Sequence, residues 1–247
     1  MADHQNNSYY HRLGIIGGLG PMATAYFLQR IAEMTDAKRD QDHLELILYS
    51  VPSIPDRTAY ILNPESENPL PPLIEIGQRL AGQNVDCIAI PCVTAHYFYD
   101  VLASSVPCPI IHAIQETAGC LAQTGIHKAG IAATDGTLAS HLFQNEMEKK
   151  GIHVLMPHPD TQRGVMDLVY NDFKAGHAPH MDLFEAMSDD LKKQGAEVIV
   201  LGCTELSLIK RDQKLEAGFL DVIDILARSA ILSCGGPLNP QYSNLIT

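Results

Sequence analysis

Two cysteines carry the clearest chemistry in this chain. Cys92 and Cys203 each follow an apolar run and a small or turn-forming residue, and each has a threonine close behind. The segments are CIAIPCVTAH (Cys87–His96) and VIVLGCTELS (Val198–Ser207). A thiol between a strand end and a helix start lies where parallel α/β sheets bind ligands, and a helix N-terminus favours its thiolate. One such cysteine alone reads as a small buried hydrophobe. Two at matching places, 111 residues apart, read as a pair facing across one cleft. A redox pair would bring the thiols adjacent, as in C-x-x-C. Facing thiols instead suit proton transfer on both faces of one carbon, one thiolate abstracting and one thiol donating. That inverts a stereocentre, with the forward and reverse reactions exchanging the two roles.

Anchors for a charged ligand are few. Arg57, in Ile54-Pro55-Asp56-Arg57-Thr58, offers a planar fork for a carboxylate. Lys174 ends a helical stretch just before Ala175-Gly176, where ordinary helix capping competes with a ligand role. Thr94, Thr137 and Thr204 put hydroxyls beside the expected site turns, or serve as helix caps there. Cys87, Cys108, Cys120 and Cys234 are assigned to packing. No C-x-x-C occurs, and the closely spaced His177 and His180 have no neighbouring Cys or acidic pair, so no metal site is expected. The run Gly18-Leu19-Gly20-Pro21-Met22-Ala23 matches a relaxed dinucleotide fingerprint. The next strand, however, ends Tyr49-Ser50-Val51 without the carboxylate a ribose requires. A generic strand–turn–helix contact is the better reading.

The elements that must position these residues alternate. Leu13–Ile16, Leu44–Ser50, Cys87–Ile90, Lys128–Ala132, Ile152–Met156 and Val198–Leu201 read as short buried strands. Helical patterns intervene, such as Pro72–Gln83, Ser140–Lys150 and Met181–Gln194. This is the signature of parallel sheets covered on both faces. The stretch Val51–Pro72 reads as a long, Pro-rich functional loop, and the first ten or so residues and the tail after Gly235 as frayed termini.

An internal repeat sets the architecture. LGIIGGLGPMAT (Leu13–Thr24) aligns with AGIAATDGTLAS (Ala129–Ser140), with Gly14/Gly130, Ile15/Ile131, Gly20/Gly136 and Ala23/Ala139 identical. The cysteine segments recur in the same order at nearly the same offset, so duplication explains both. The expected fold is α/β: two similar doubly wound parallel-sheet domains related by a pseudo-two-fold, with the active site in the cleft between them. Residues 1–115 with a returning 215–247 form the first domain, and 116–214 the second.

Composition bounds the partners. Over 247 residues, 46% are hydrophobic and 19% charged, enough for a real core. The formal charge of −12 argues against nucleic acid, and it leaves any anionic substrate dependent on a few local cations. No apolar run reaches a membrane span and no signal-peptide core opens the chain, so a cytoplasmic protein with free thiols is expected.

Together the motifs Gly17-Gly18-Leu19-Gly20-Pro21-Met22-Ala23-Thr24, Ile54-Pro55-Asp56-Arg57, Cys92-Val93-Thr94-Ala95-His96, Lys174-Ala175-Gly176 and Gly202-Cys203-Thr204-Glu205 resemble the cofactor-independent aspartate/glutamate racemase family. The resemblance covers roughly residues 12–234. It implies two doubly wound domains, a homodimer, no pyridoxal phosphate, no metal, and Cys92 and Cys203 as the acid/base thiols. It puts Arg57 and Lys174 at the charged ends of the substrate, with Met22, Val93, Thr94, Thr137 and Thr204 completing the contact set. It also implies that Cys203 serves the L enantiomer and Cys92 the D enantiomer. Glu205 after the second Cys-Thr looks like the aspartate branch. One departure is Val93, where the family commonly has an Asn that helps hold the amino acid. Three functions therefore stay open: an acidic amino-acid racemase, a cysteine-dependent isomerase or decarboxylase of a non-amino dicarboxylic acid, and a non-catalytic small-anion binder.

Overall fold

The computed structural model describes residues 12–247. The expected fraying of the first ten residues falls outside that range. The first half contains β1 (Arg12–Gly17), α1 (Pro21–Met34), β2 (Glu45–Ser50), α2 (Arg57–Leu62), α3 (Leu70–Ala81), β3 (Cys87–Ala89), α4 (Tyr99–Ser105) and α5 (Ala113–Ala122). The second contains β4 (Lys128–Ala132), α6 (Asp135–Ala139), α7 (Leu142–Glu148), β5 (His153–Leu155), α8 (Pro159–Asp167), α9 (Met181–Lys193), β6 (Val198–Leu201), α10 (Ser207–Asp212), β7 (Phe219–Asp221) and α11 (Val222–Ser233).

Both sheets are parallel, ordered β2-β1-β3 and β5-β4-β6-β7. The repeat is visible in that order. β1 and β4 are central, and Ile110 bridges Ile88 on the flank of β3 as β7 flanks β6. Strand alternation divides the apolar residues between two faces. Leu13 and Ile15 of β1, with Ile131 of β4 and Val198 and Val200 of β6, enter one core shared by both halves. Ile16 and Ile88 turn outward to the layer under α3 and α4, and Ile199 and Leu201 to the layer under α8 and α9. The halves exchange helices: α5 packs against α7, while α11 packs against α1 and α5. A continuous core between halves holds the cleft in one geometry.

The sequence expectations need three corrections. Val51–Pro72 contains α2 and the start of α3 rather than one long loop. Its prolines hide this, since Asp56 caps α2 by accepting from Ala59 N–H at 2.9 Å and Pro71 and Pro72 sit in the first turn of α3. Residues 215–247 do not all return to the first half, because Phe219–Asp221 adds β7 to the second sheet. Three residues are too short a run for periodicity to register. The tail after Gly235 is docked: Leu238 bridges Thr35, Ile246 bridges Leu220, and Leu245 is buried.

One close approach joins the halves beside the cleft. A Cβ on Gly136 would lie 2.8 Å from Thr58 Cα, so α6 and α2 touch backbone to backbone. Gly136→Ala is expected to cost about 1–3 kcal/mol, read as a lower urea midpoint at unchanged m-value.

Candidate active site

Each cysteine is presented by the end of a strand. Cys92 follows β3 and is the N-cap of a 3₁₀ turn over Val93–Phe98. Cys203 follows β6 after Gly202, whose N–H donates to Ala132 O at 2.8 Å. A Cβ on Gly202 would lie 2.9 Å from the Phe143 ring, so glycine is what lets this turn pass the core. Both thiols are buried, and both line one small interdomain cavity with Arg57, Lys174, Thr94, Asp56, Thr58, Thr134, Tyr170, Glu205 and Leu19.

Arg57 begins α2 and is 7% exposed. Its guanidinium donates to Leu19 O at 3.1 Å, Pro55 O at 3.0 Å and Ile54 O at 3.3 Å. Its Nε has no partner. Burial works against its charge, yet Cys92, Asp56 and Glu205 nearby outweigh that and hold it further into the charged range. Lys174 reaches the cleft because a π-helical turn over Leu168–Phe173 extends α8, with Lys174 N–H donating to Val169 O at 3.0 Å. Such turns are frequent at functional sites. Its ammonium does not cap helix carbonyls: it pairs with Asp56 Oδ2 at 3.0 Å and lies 3.8 Å from the centre of the Tyr170 ring. Burial lowers its pKa, but Glu205, Tyr170 and Asp56 prevail and raise it. Tyr170 Oη also donates to Asp56, at 3.1 and 3.2 Å.

Cys203 Sγ donates to Glu205 Oε2 at 3.0 Å. Burial first, then the Glu205 charge and hydrogen bond, push its pKa well above that of an ordinary thiol. The expectation that a helix N-terminus favours thiolate is therefore corrected at Cys203. α10 begins only at Ser207, and burial against a carboxylate wins. Cys203 rests as a thiol.

Three threonines, Thr58, Thr94 and Thr134, line the inner cavity, with Thr137 behind them. Thr58 Oγ1 donates to Thr134 Oγ1 at 3.1 Å, and Thr94 Oγ1 lies 3.2 Å from Thr134 and 2.9 Å from Thr137. Thr204 donates to Glu205 Oε2 at 3.4 Å. Thr137 and Thr204 thus touch the lining without forming it. Val93 is packed in the shared core instead, and Met22, 56% exposed, lies on the outer cavity. That cavity, about 580 Å³, shares Leu19, Asp56, Arg57, Lys174 and Glu205 with the inner one, whose 10 Å³ holds about one water molecule. The Asp56–Lys174 pair, one residue from each half, lines both cavities. Asp56, Thr58, Thr134, Tyr170 and Glu205 were not among the expected site residues. Asp56 and Glu205 stand in the quoted motifs, but nothing in the sequence brings Thr58, Thr134 or Tyr170 to the cleft.

His96 positions the Cys92 turn. Its Nε2 accepts from Ala113 N–H at 3.2 Å, so Nδ1 carries the proton and donates to Cys92 O at 3.1 Å and Val93 O at 3.2 Å. Burial and then His112 push its pKa down to about 4. The unfolded chain takes up this proton near pH 6.5 and the folded one only near pH 4, so stability present at pH 7 is lost as pH falls through that window. The expected loss is about 3 kcal/mol, and His96→Asn flattens it. Urea unfolding of both proteins at pH 7.5 and pH 4.5 reads the difference.

Among the described residues, no group of three or more His, Cys, Asp or Glu could hold a metal ion, and no helix is long and apolar enough to cross a membrane. All six cysteines are free. Two similar parallel α/β halves each present a strand-end thiol to one cleft. The Asp/Glu/hydantoin racemase family model matches residues 16–230, and the chain belongs to that family. It is 26% identical over 226 residues to the broad-specificity amino-acid racemase RacX of Bacillus subtilis (strain 168), covering 89% of this chain and 96% of that one. Picrophilus torridus aspartate racemase superposes with a TM-score of 0.79 at 26% identity, over 94% and 97% of the two chains. Glutamate racemase from Francisella tularensis, in complex with D-glutamate, shares the fold at a TM-score of 0.63 and 15% identity, over 96% and 85%.

Proposed function

We propose that the protein racemises an acidic amino acid, aspartate or glutamate, by proton transfer between Cys92 and Cys203, without pyridoxal phosphate or metal. The observation that carries this is the pair of strand-end thiols lining one cavity with Arg57 and Lys174. Arg57 anchors one carboxylate. The other replaces Asp56 on Lys174. One thiolate takes the α-proton and the opposite thiol delivers its own to the other face, leaving the two ionisation states exchanged. Cys203, a thiol at rest, is set to donate when Cys92 abstracts. The completed transfer leaves Cys203 as the thiolate that serves the L enantiomer.

Val93 is packed in the core and offers the substrate no side-chain donor or acceptor. Thr94, Thr137 and Thr204 order the lining, and Met22 flanks the entrance. The same reading makes the enzyme a cytoplasmic homodimer, with light scattering at about twice 27.0 kDa as its check. Chiral chromatography after incubation with single enantiomers, in chelator-treated and hydroxylamine-treated buffer, tests the activity. Aspartate or glutamate should approach equal D and L, and iodoacetamide should stop the conversion. Failure to convert either enantiomer of both acids contradicts the proposal.

A further inference from the structure

We infer that Glu205 is the subsite for the α-ammonium group of the substrate, so that the cleft selects amino acids over the corresponding desamino acids. This rests on the racemase reading above and deepens it. The two oxygens of Glu205 are in different states. Oε2 accepts from the Cys203 thiol at 3.0 Å and from Thr204 at 3.4 Å. Oε1 is buried and accepts from nothing, although the residue as a whole is only 6% exposed. A buried carboxylate oxygen without a donor is costly unless a ligand supplies one.

The surroundings say which donor fits. Glu205 lines the inner cavity together with both thiols, and the outer cavity as well. A Cβ on Gly20 would lie 3.3 Å from Oε1, so glycine leaves that space open. The nearby lysine is engaged elsewhere, with Lys174 Nζ on Asp56 at 3.0 Å. The other unpartnered buried atom lining this cavity is Arg57 Nε, a cationic donor. An orphan anionic acceptor and an orphan cationic donor in one cleft match the ammonium and carboxylate of a zwitterion. The carboxylate of Glu205 also bridges chemistry and recognition. One oxygen holds the thiol that exchanges a proton with Cα, and the other holds the nitrogen bonded to Cα. A desamino diacid would set a methylene against Oε1 and leave it bare.

The test compares ligands by calorimetry at pH 7, using the racemic mixture so that no net conversion occurs. DL-aspartate is paired with succinate, and DL-glutamate with glutarate, on wild type and Glu205→Gln. Wild type should bind the amino acid at least tenfold more tightly than its partner. In Glu205→Gln that ratio should fall to within about twofold, the loss falling on the amino acid alone. Succinate or glutarate binding as tightly as the amino acid to wild type would overturn the inference, and this arm needs no variant. So would a folded Glu205→Gln protein, judged by its thermal melt, that keeps the wild-type ratio. The two readings fail separately. Racemisation with no amino-acid preference removes the subsite and keeps the activity. Preference without α-proton exchange does the reverse.

Discussion

Cys92→Ala and Cys203→Ala are each expected to reduce racemisation by on the order of 10³-fold or more, with little change in thermal stability. On the proposed mechanism, each removes one of two groups that act on opposite faces of the same carbon. Losing either breaks both directions, because the acid of one direction is the base of the other. Stability changes little because each side chain loses one sulfur at the cleft end of an outer apolar layer, and the shared core around Phe27 and Phe143 is untouched. The variants should differ in what survives. With Cys203 gone, Cys92 still exchanges the α-proton of the D enantiomer with solvent. With Cys92 gone, Cys203 does so for the L enantiomer, more slowly below neutral pH, because burial and Glu205 raise its pKa. Enantiomer-specific exchange by proton NMR reads this, and equal exchange of both enantiomers by a single variant would contradict it.

Arg57→Ala is the second large effect. The guanidinium does two things at once. It joins the carbonyls of Leu19, Ile54 and Pro55, tying the glycine turn after β1 to the start of α2, and it faces Cys92 and the cavity. Loss of a charge-assisted pair with the substrate costs about 1.5–3 kcal/mol, or roughly tenfold to a hundredfold in kcat/KM. Three carbonyls also lose their donor, so thermal stability should fall as well. Arg57→Lys restores charge without the fork and should recover only part of either loss. Lys174→Ala should weaken the acidic substrate to a similar degree, because it removes the cation for the second carboxylate and leaves the Asp56 carboxylate without its partner. Unchanged kinetics in both Arg57→Ala and Lys174→Ala would mean that the substrate lies elsewhere.

Much of this molecule is legible from its residues. The strand–Cys–Thr repeat announces two halves and two thiols, because a duplicated segment keeps its order and a strand end has a fixed place in a parallel sheet. Lys128–Ala132 and Val198–Leu201 are strands with the expected bounds, since each is a short stretch, apolar after Lys128 in the first and throughout in the second, closed by turn residues. What escapes is whatever depends on contacts between the halves. Asp56 stands in a stretch that reads as a loop, and only the fold makes it a helix cap and brings Lys174 and Tyr170 to it from 118 and 114 residues away. The thiolate expected at Cys203 follows from a local helix rule, which burial and Glu205 override. Val93 stands in the motif beside Cys92, yet it packs into the core. The short strand β7 and the docked tail have too few residues to show a period.

Isotope placement during a single conversion tests the facing-thiol mechanism most directly. The L enantiomer of the preferred amino acid is converted in D₂O, and substrate and product are separated by chirality early in the reaction. Two thiols acting from opposite faces predict a D product that carries deuterium at Cα in nearly every molecule, while the remaining L substrate keeps its protium. A D product that retains the original proton would mean that one base moves it across both faces, and the pairing of Cys92 with Cys203 would be wrong.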